Sequence, residues 1–204
     1  MKRAERKRET HQRIVEIAAR QLREAGIAGA GLQRIMKDAG LTHGAFYSHF
    51  ESKADLVAEA LVSTLARERA RWAREAANLP RPARLGRFVA RYLSRAHRDA
   101  PGAGCPLPTI SAEVVRASAP VRRAFDAELR ETLAQVESVA LEKAASGRDA
   151  GEAHARAAGI VALCVGGLLL ARAAGDAELS DDILRSCRRF ATGRAGAKRV
   201  SPGP

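Results

Sequence analysis

The sequence predicts an all-α protein of about nine helices, on three observations. No stretch shows the apolar and polar alternation of a half-buried strand. Alanine, leucine, arginine and glutamate, all strong helix formers, recur along the whole of the 204 residues. Apolar residues return at three- and four-residue spacing between glycine- and proline-rich breaks, which separate one helix from the next.

The first helix is expected from about Arg6 to Glu24. Ile14, Ile17, Ala18, Gln21 and Leu22 fall near one face, and Gly26 ends it as a C-cap residue. "GIAGAG" follows as a connector. Leu32, Ile35, Met36 and Ala39 mark a short second helix, with Gly31 at its N-cap and Gly40 closing it. Thr42 then stands where the cap of a third short helix, His43 to Phe50, belongs. A fourth starts near Ser52, where Asp55 completes an acidic variant of the capping box, and runs through "LVAEALVSTLARERARWAREAA".

"NLPRP" breaks the chain. A fifth helix carries Leu85, Phe88, Val89, Tyr92 and Leu93 until "RDAPGAGCP" interrupts it, and a sixth runs from Pro106 to about Ala117. A long seventh spans about Pro120 to Ala145. The eighth, about Gly151 to Ala174, is apolar nearly all round in its second half, so it is either the centre of a domain or part of a subunit interface. Gly159, Ala162, Gly166 and Gly167 give it patches where another helix can come close. "ELSDDILRSCRRFA" supplies the ninth helix, and "TGRAGAKRVSPGP" reads as a disordered basic tail.

The chain is 46% hydrophobic and 28% charged, enough apolar content for a sizeable core. Its net charge of +12 and pI near 10.7 favour a polyanionic partner, nucleic acid first and an acidic membrane surface second. Cys105, Cys164 and Cys187 are odd in number and far apart, which suggests neither a disulfide framework nor a C-x-x-C metal site. The basic N-terminus lacks the apolar stretch of a signal peptide. The run Ala157 to Ala171 would reach only about 22 Å as a helix, short of the roughly 30 Å hydrocarbon core. A reducing cytoplasm and no membrane are the expectation.

Two short helices joined by "AGLT" make a helix-turn-helix, whose second helix in DNA binders lies in the major groove. The residue chemistry suits that placement. Thr42 offers a hydroxyl and free backbone N–H groups to a phosphate. His43 can reach base edges, and Gly44 and Ala45 let the helix sit deep. Tyr47 and His49 can reach phosphates on either side, and Lys53 adds a cation. Phe46 and Phe50, four apart, face inward. Many all-α proteins contain such a turn without binding DNA, so spacing alone leaves both readings open. His43 and His49 are six apart with no cysteine near, which argues against a metal site.

The stretch "GIAGAGLQRIMKDAGLTHGAFYSHFESKADL" resembles the DNA-binding domain of TetR/AcrR-family transcriptional regulators. The match lies at Ala39, Gly40, Leu41, Thr42, Gly44, Phe46, Tyr47, His49, Phe50, Ser52, Lys53 and Leu56. One departure is Ala30-Gly31, where many members carry Thr or Ser to cap the second helix and touch a phosphate. The resemblance implies a DNA-binding domain over residues 1–53 and a ligand-binding and dimerisation domain over 54–193, with 194–204 as the tail. It also implies a homodimer through the last two helices, on a two-fold symmetric operator, commonly as a repressor.

An effector would sit among the middle helices. Pro106 and Pro108 fit the first turn of the sixth helix and put Cys105 at or next to its N-cap, where N–H groups and the helix dipole lower a thiol pKa. Arg95, His97 and Arg98 could add positive charge by folding back. Some relatives of this kind respond to electrophiles or oxidants through a cysteine here, so Cys105 is a candidate sensor; the alternative is inert packing, with a reversible hydrophobic effector instead. Trp72, Phe88, Tyr92 and Phe125 are candidate pocket walls, and equally ordinary core. Cys164 reads as core. No catalytic motif, phosphate loop or HExxH is present, so neither an enzyme nor a cofactor is expected. A basic protein binding nucleic acid or membrane without specificity, through residues 1–8, is the third reading.

Overall fold

The computed structural model describes residues 2–140 and 147–193. The expected basic tail and the last residues of the predicted seventh helix lie outside the described residues. Among the described residues the chain forms nine α-helices, two 3-10 helices and no strand. In order they are α1 (Lys2–Gly29), α2 (Leu32–Asp38), a 3-10 helix (His43–Ser48), α3 (Lys53–Ala77), α4 (Arg81–Tyr92) and α5 (Arg95–Asp99). A second 3-10 helix (Pro101–Ala103) precedes α6 (Leu107–Val114), α7 (Ala119–Ala140), α8 (Gly147–Ala173) and α9 (Ala177–Ala191).

Two elements differ in kind from the expectation. The third predicted helix is a 3-10 helix, held by Ala45 N–H to the Thr42 carbonyl (3.1 Å) and His49 N–H to that of Phe46 (2.9 Å). A short segment closes its turns with i to i+3 bonds more readily than it builds an α-helix. The predicted fifth helix is two, because Ser94 stops one and starts the next. Its hydroxyl donates to the Arg91 carbonyl at 2.8 Å and accepts the His97 N–H at 3.1 Å.

The chain divides into two compact units, Met1–Asn78 with Ala100–Gln135, and Leu79–Asp99 with Val136–Pro204. These units cut the chain elsewhere than residue 53, since α6 and most of α7 join the N-terminal helices. In the first unit Ile14, Ala18 and Leu22 of α1, Ile35 and Met36 of α2, Phe46 of the first 3-10 helix, Phe50 just after it and Leu56 of α3 form one buried core. Arg23 of α1 binds three neighbours: it donates to Thr64 of α3 and to the Gly102 carbonyl (2.5 Å), and its own carbonyl accepts from Thr109 of α6 (3.0 Å). Arg69 of α3 pairs with the buried Glu128 of α7 at 2.5 Å.

In the second unit α8 packs on α9. Gly167 permits the approach: a Cβ there would lie 2.8 Å from Cys187 Sγ and 3.2 Å from Leu93 Cδ2. Ser180 of α9 donates to the Ala171 carbonyl at 2.6 Å, and Arg95 and Arg98 converge on Asp181. Ala157, Cys164 and Leu168 of α8 are buried, whereas Gly159, Ala162, Leu169 and Leu170 are exposed. Taken whole rather than as its apolar run, Gly151–Ala173 is long and apolar enough by length and composition to cross a membrane, which corrects the length argument made from the sequence. One face of it packs on α9 and is buried.

Candidate nucleic-acid interface

The turn between α2 and the first 3-10 helix is built by Gly40. Its φ of 69° is open to glycine, and it closes α2 with a Schellman motif: Leu41 N–H to the Met36 carbonyl and Gly40 N–H to that of Lys37, both at 2.9 Å. The backbone leaves this turn in a fixed direction, with Thr42 extended at the start of the 3-10 helix. The Thr42 hydroxyl caps nothing and is exposed.

The aromatics of "GLTHGAFYSHF" divide by side. Phe46 is 1% exposed and stacks on the buried Phe50, ring centroids 5.5 Å apart, and His11 of α1 also stacks on Phe50, at 4.4 Å. Tyr47 is 65% exposed, its ring edge-on to Phe46 and facing His43 at 6.2 Å. Thr42, His43, Gly44 and Tyr47 therefore come together on one exposed segment, anchored from below by two phenylalanines.

Three of the residues selected from the sequence sit differently. Ala45 is half-buried. His49 is half-buried, and its Nδ1 is buried with no hydrogen-bond partner among the described residues. Burial, then the nearby His11 and Lys7, holds its imidazole below the ordinary histidine range, so it is neutral at pH 7. Lys53 turns its ammonium onto α1 and donates to the Ile27 carbonyl at 3.1 Å. Ser52 caps α3 as expected: its hydroxyl accepts the Asp55 N–H at 3.2 Å and donates to the Asp55 carboxylate at 2.7 Å.

Sequence reasoning passed over the polar face of α2, where Gln33, Arg34 and Lys37 are exposed between the buried Ile35 and Met36 and the half-buried Leu32. The signal was present, as cations between apolar positions of a short helix. Arg3, Arg6, Lys7 and Arg8 are also exposed, on helical rather than extended backbone.

The family model "Bacterial regulatory proteins, tetR family" matches residues 14–60, and "Tetracyclin repressor-like, C-terminal domain" matches residues 81–187. The chain belongs to the TetR family. It is a DNA-binding transcriptional regulator of that family, whose members are typically not enzymes. The chain is 43% identical over 51 residues to the HTH-type transcriptional regulator AcrR of Shigella flexneri. That match spans 25% of this chain and about a quarter (24%) of that relative's length. Escherichia coli NemR in its reduced form has the same fold, with a TM-score of 0.76 at 22% identity over 94% of this chain and all (100%) of that one. So does Bacillus subtilis FadR in complex with stearoyl-CoA, at a TM-score of 0.62 and 15% identity, covering 86% and 96% of the two chains.

Within this TetR-family chain the candidate effector residues fall in separate units. Trp72 is fully buried in the first, where Phe125 is half-buried; Phe88 and Tyr92 are buried in the second, their rings 5.9 Å apart. Cys105 directly precedes Pro106, the N-cap of α6, and is 8% exposed. The cations expected to reach it are engaged within their own unit: Arg95 with Asp181, and Arg98 with Asp99, Ser180 and Asp181. Cys164 is buried, and burial pushes the Cys187 thiol up, which keeps it protonated.

Proposed function

We propose that this chain is a cytoplasmic repressor that binds a palindromic operator as a homodimer and leaves it when an effector binds. Residues 1–53 read DNA and residues 54–193 take the effector and pair with a second subunit. Thr42, His43, Gly44, Ala45 and Tyr47 enter the major groove, with His49 at its flank, while Lys53 is held on the Ile27 carbonyl instead. The observation that carries this reading is the exposed Thr42–Tyr47 segment held on Phe46 and Phe50. Pairing through α8 and α9 is supported by their exposed Leu169, Leu170, Leu179 and Phe190. The chain carries no catalytic role in this reading.

DNA binding measured against salt tests the proposal. A specific repressor prefers its palindrome to random duplex by roughly a thousandfold or more. A uniform affinity that collapses with salt would instead mark non-specific binding.

Two effector classes are in play. In the first, an electrophile or oxidant modifies Cys105 at the start of α6, a reading in keeping with NemR being described in a reduced form. In the second, the effector is a reversible hydrophobic ligand, in keeping with FadR holding stearoyl-CoA. The burial of Cys105 favours the second, because a reagent needs access to the thiolate. Release of Cys105→Ser protein from DNA by electrophiles, equal to that of the parent, rules out the first.

A further inference from the structure

We propose that a pocket beside the reading head binds a compact amphiphilic anion, an apolar body carrying one carboxylate. The pocket measures about 380 Å³ and opens between the end of α1, the first turns of α3 and the α6–α7 junction, all within the first unit. Ligand pockets run from roughly 300 to 1,000 Å³, so it suits a small molecule.

The hollow is made by residue choice. Ala28, Ala54, Ala117 and Ser118 line it where longer side chains would close it, over a floor of the buried Val57 and Val121. An apolar body covers this floor in place of water.

The charges at its edge select the head group. Lys53 donates to the Ile27 carbonyl at 3.1 Å, and Glu113 accepts the Ala28 N–H at 2.9 Å, so each has a backbone partner. Arg116 is exposed and has no hydrogen-bonding or carboxylate partner for its guanidinium among the described residues. Two cations face one committed carboxylate, and a guanidinium takes a carboxylate through two parallel hydrogen bonds. A single negative charge fits; a dianion would be repelled by Glu113.

The floor belongs to the reading head. Val57 and Val121 are part of the same buried core as Phe46 and Phe50. An occupant therefore presses on the elements that hold the exposed segment, and any effect on the operator rests on the DNA-binding reading above. Binding itself does not.

The test uses the full chain without DNA, so its failure leaves that reading intact. Decanoate is titrated by calorimetry, with decanol as the uncharged control. Saturable decanoate binding is expected, at least about tenfold weaker in R116E and in A117F, which fills the hollow, with decanol weaker by a similar factor. Absence of saturable binding to the parent, or binding to R116E or to a folded A117F as tight as to the parent, overturns the proposal.

Discussion

Glu113 of α6 seats its carboxylate on the kink of α1 at Gly26. Its Oε2 accepts the Ala28 N–H at 2.9 Å, and its Oε1 lies 2.1 Å from where a Gly26 Cβ would be. Gly26 itself has φ 74° and ψ −174°, a region that is essentially glycine's alone. Gly26→Ala is therefore expected to lose about 1–3 kcal/mol in urea unfolding, from strain and from eviction of the carboxylate. Adding Glu113→Ala removes the collision but not the strain, so the double variant stays less stable than Glu113→Ala alone. Equal stability of those two would show that the backbone at Gly26 carries no strain.

Tyr47 and Phe50 are three residues apart and separate two effects. Phe50 is buried against Phe46 and His11, so Phe50→Ala is expected to cost about 3–5 kcal/mol in unfolding free energy. Tyr47 is exposed, so Tyr47→Ala leaves the melting temperature within about a degree or two and weakens operator binding about tenfold. Operator titration and thermal melting of both proteins check the split; a large stability loss in Tyr47→Ala contradicts it.

Most of the reading head was legible because its signals are local. Gly40, Ser52 with Asp55, and the four-residue spacing of Phe46 and Phe50 each specify one piece of backbone or one face. What escaped was set by residues far apart in sequence. Arg23 meets Gly102 and Thr109, Glu113 meets Ala28, and Lys53 meets Ile27, contacts no spacing rule can name. Those contacts bring α6 into the first unit and turn Lys53 away from the expected exposed position. The break at Ser94 was legible in principle, as a serine three residues before His97, but the apolar run through Leu93 masked it.

His49 gives the N-terminal helices a pH dependence of defined sign. Its folded pKa lies below the ordinary value near 6.5, from burial first and then from His11 and Lys7. Above that value both folded and unfolded forms are neutral and its contribution to stability is intact. As pH falls from about 6.5 toward the folded value, the unfolded chain takes up the proton first and stability is lost. The melting temperature should therefore drop between about pH 7 and 5.5, and less steeply in His49→Gln. An identical slope in the two proteins would show that His49 does not carry the dependence.

Leu170 of α8 is 60% exposed and Phe190 of α9 is 69% exposed, so both helices present large apolar side chains to solvent in the isolated chain. Lone exposed leucines are ordinary, but repeated ones on two adjoining helices mark a surface that another protein covers. If a second copy covers it, a glutamate at Phe190 places a charge where the interface is dry, at several kcal/mol per uncompensated ion. Phe190→Glu is thus expected to run as a monomer by light scattering, at concentrations where the parent is a dimer. Because two linked reading heads bind a palindrome far more tightly than one, its operator affinity should fall by about a hundredfold or more. Its affinity for a single half-site should stay within about twofold, since Phe190 lies in the second unit and the reading head in the first. A dimeric Phe190→Glu protein with full operator affinity would place the subunit contact on another surface.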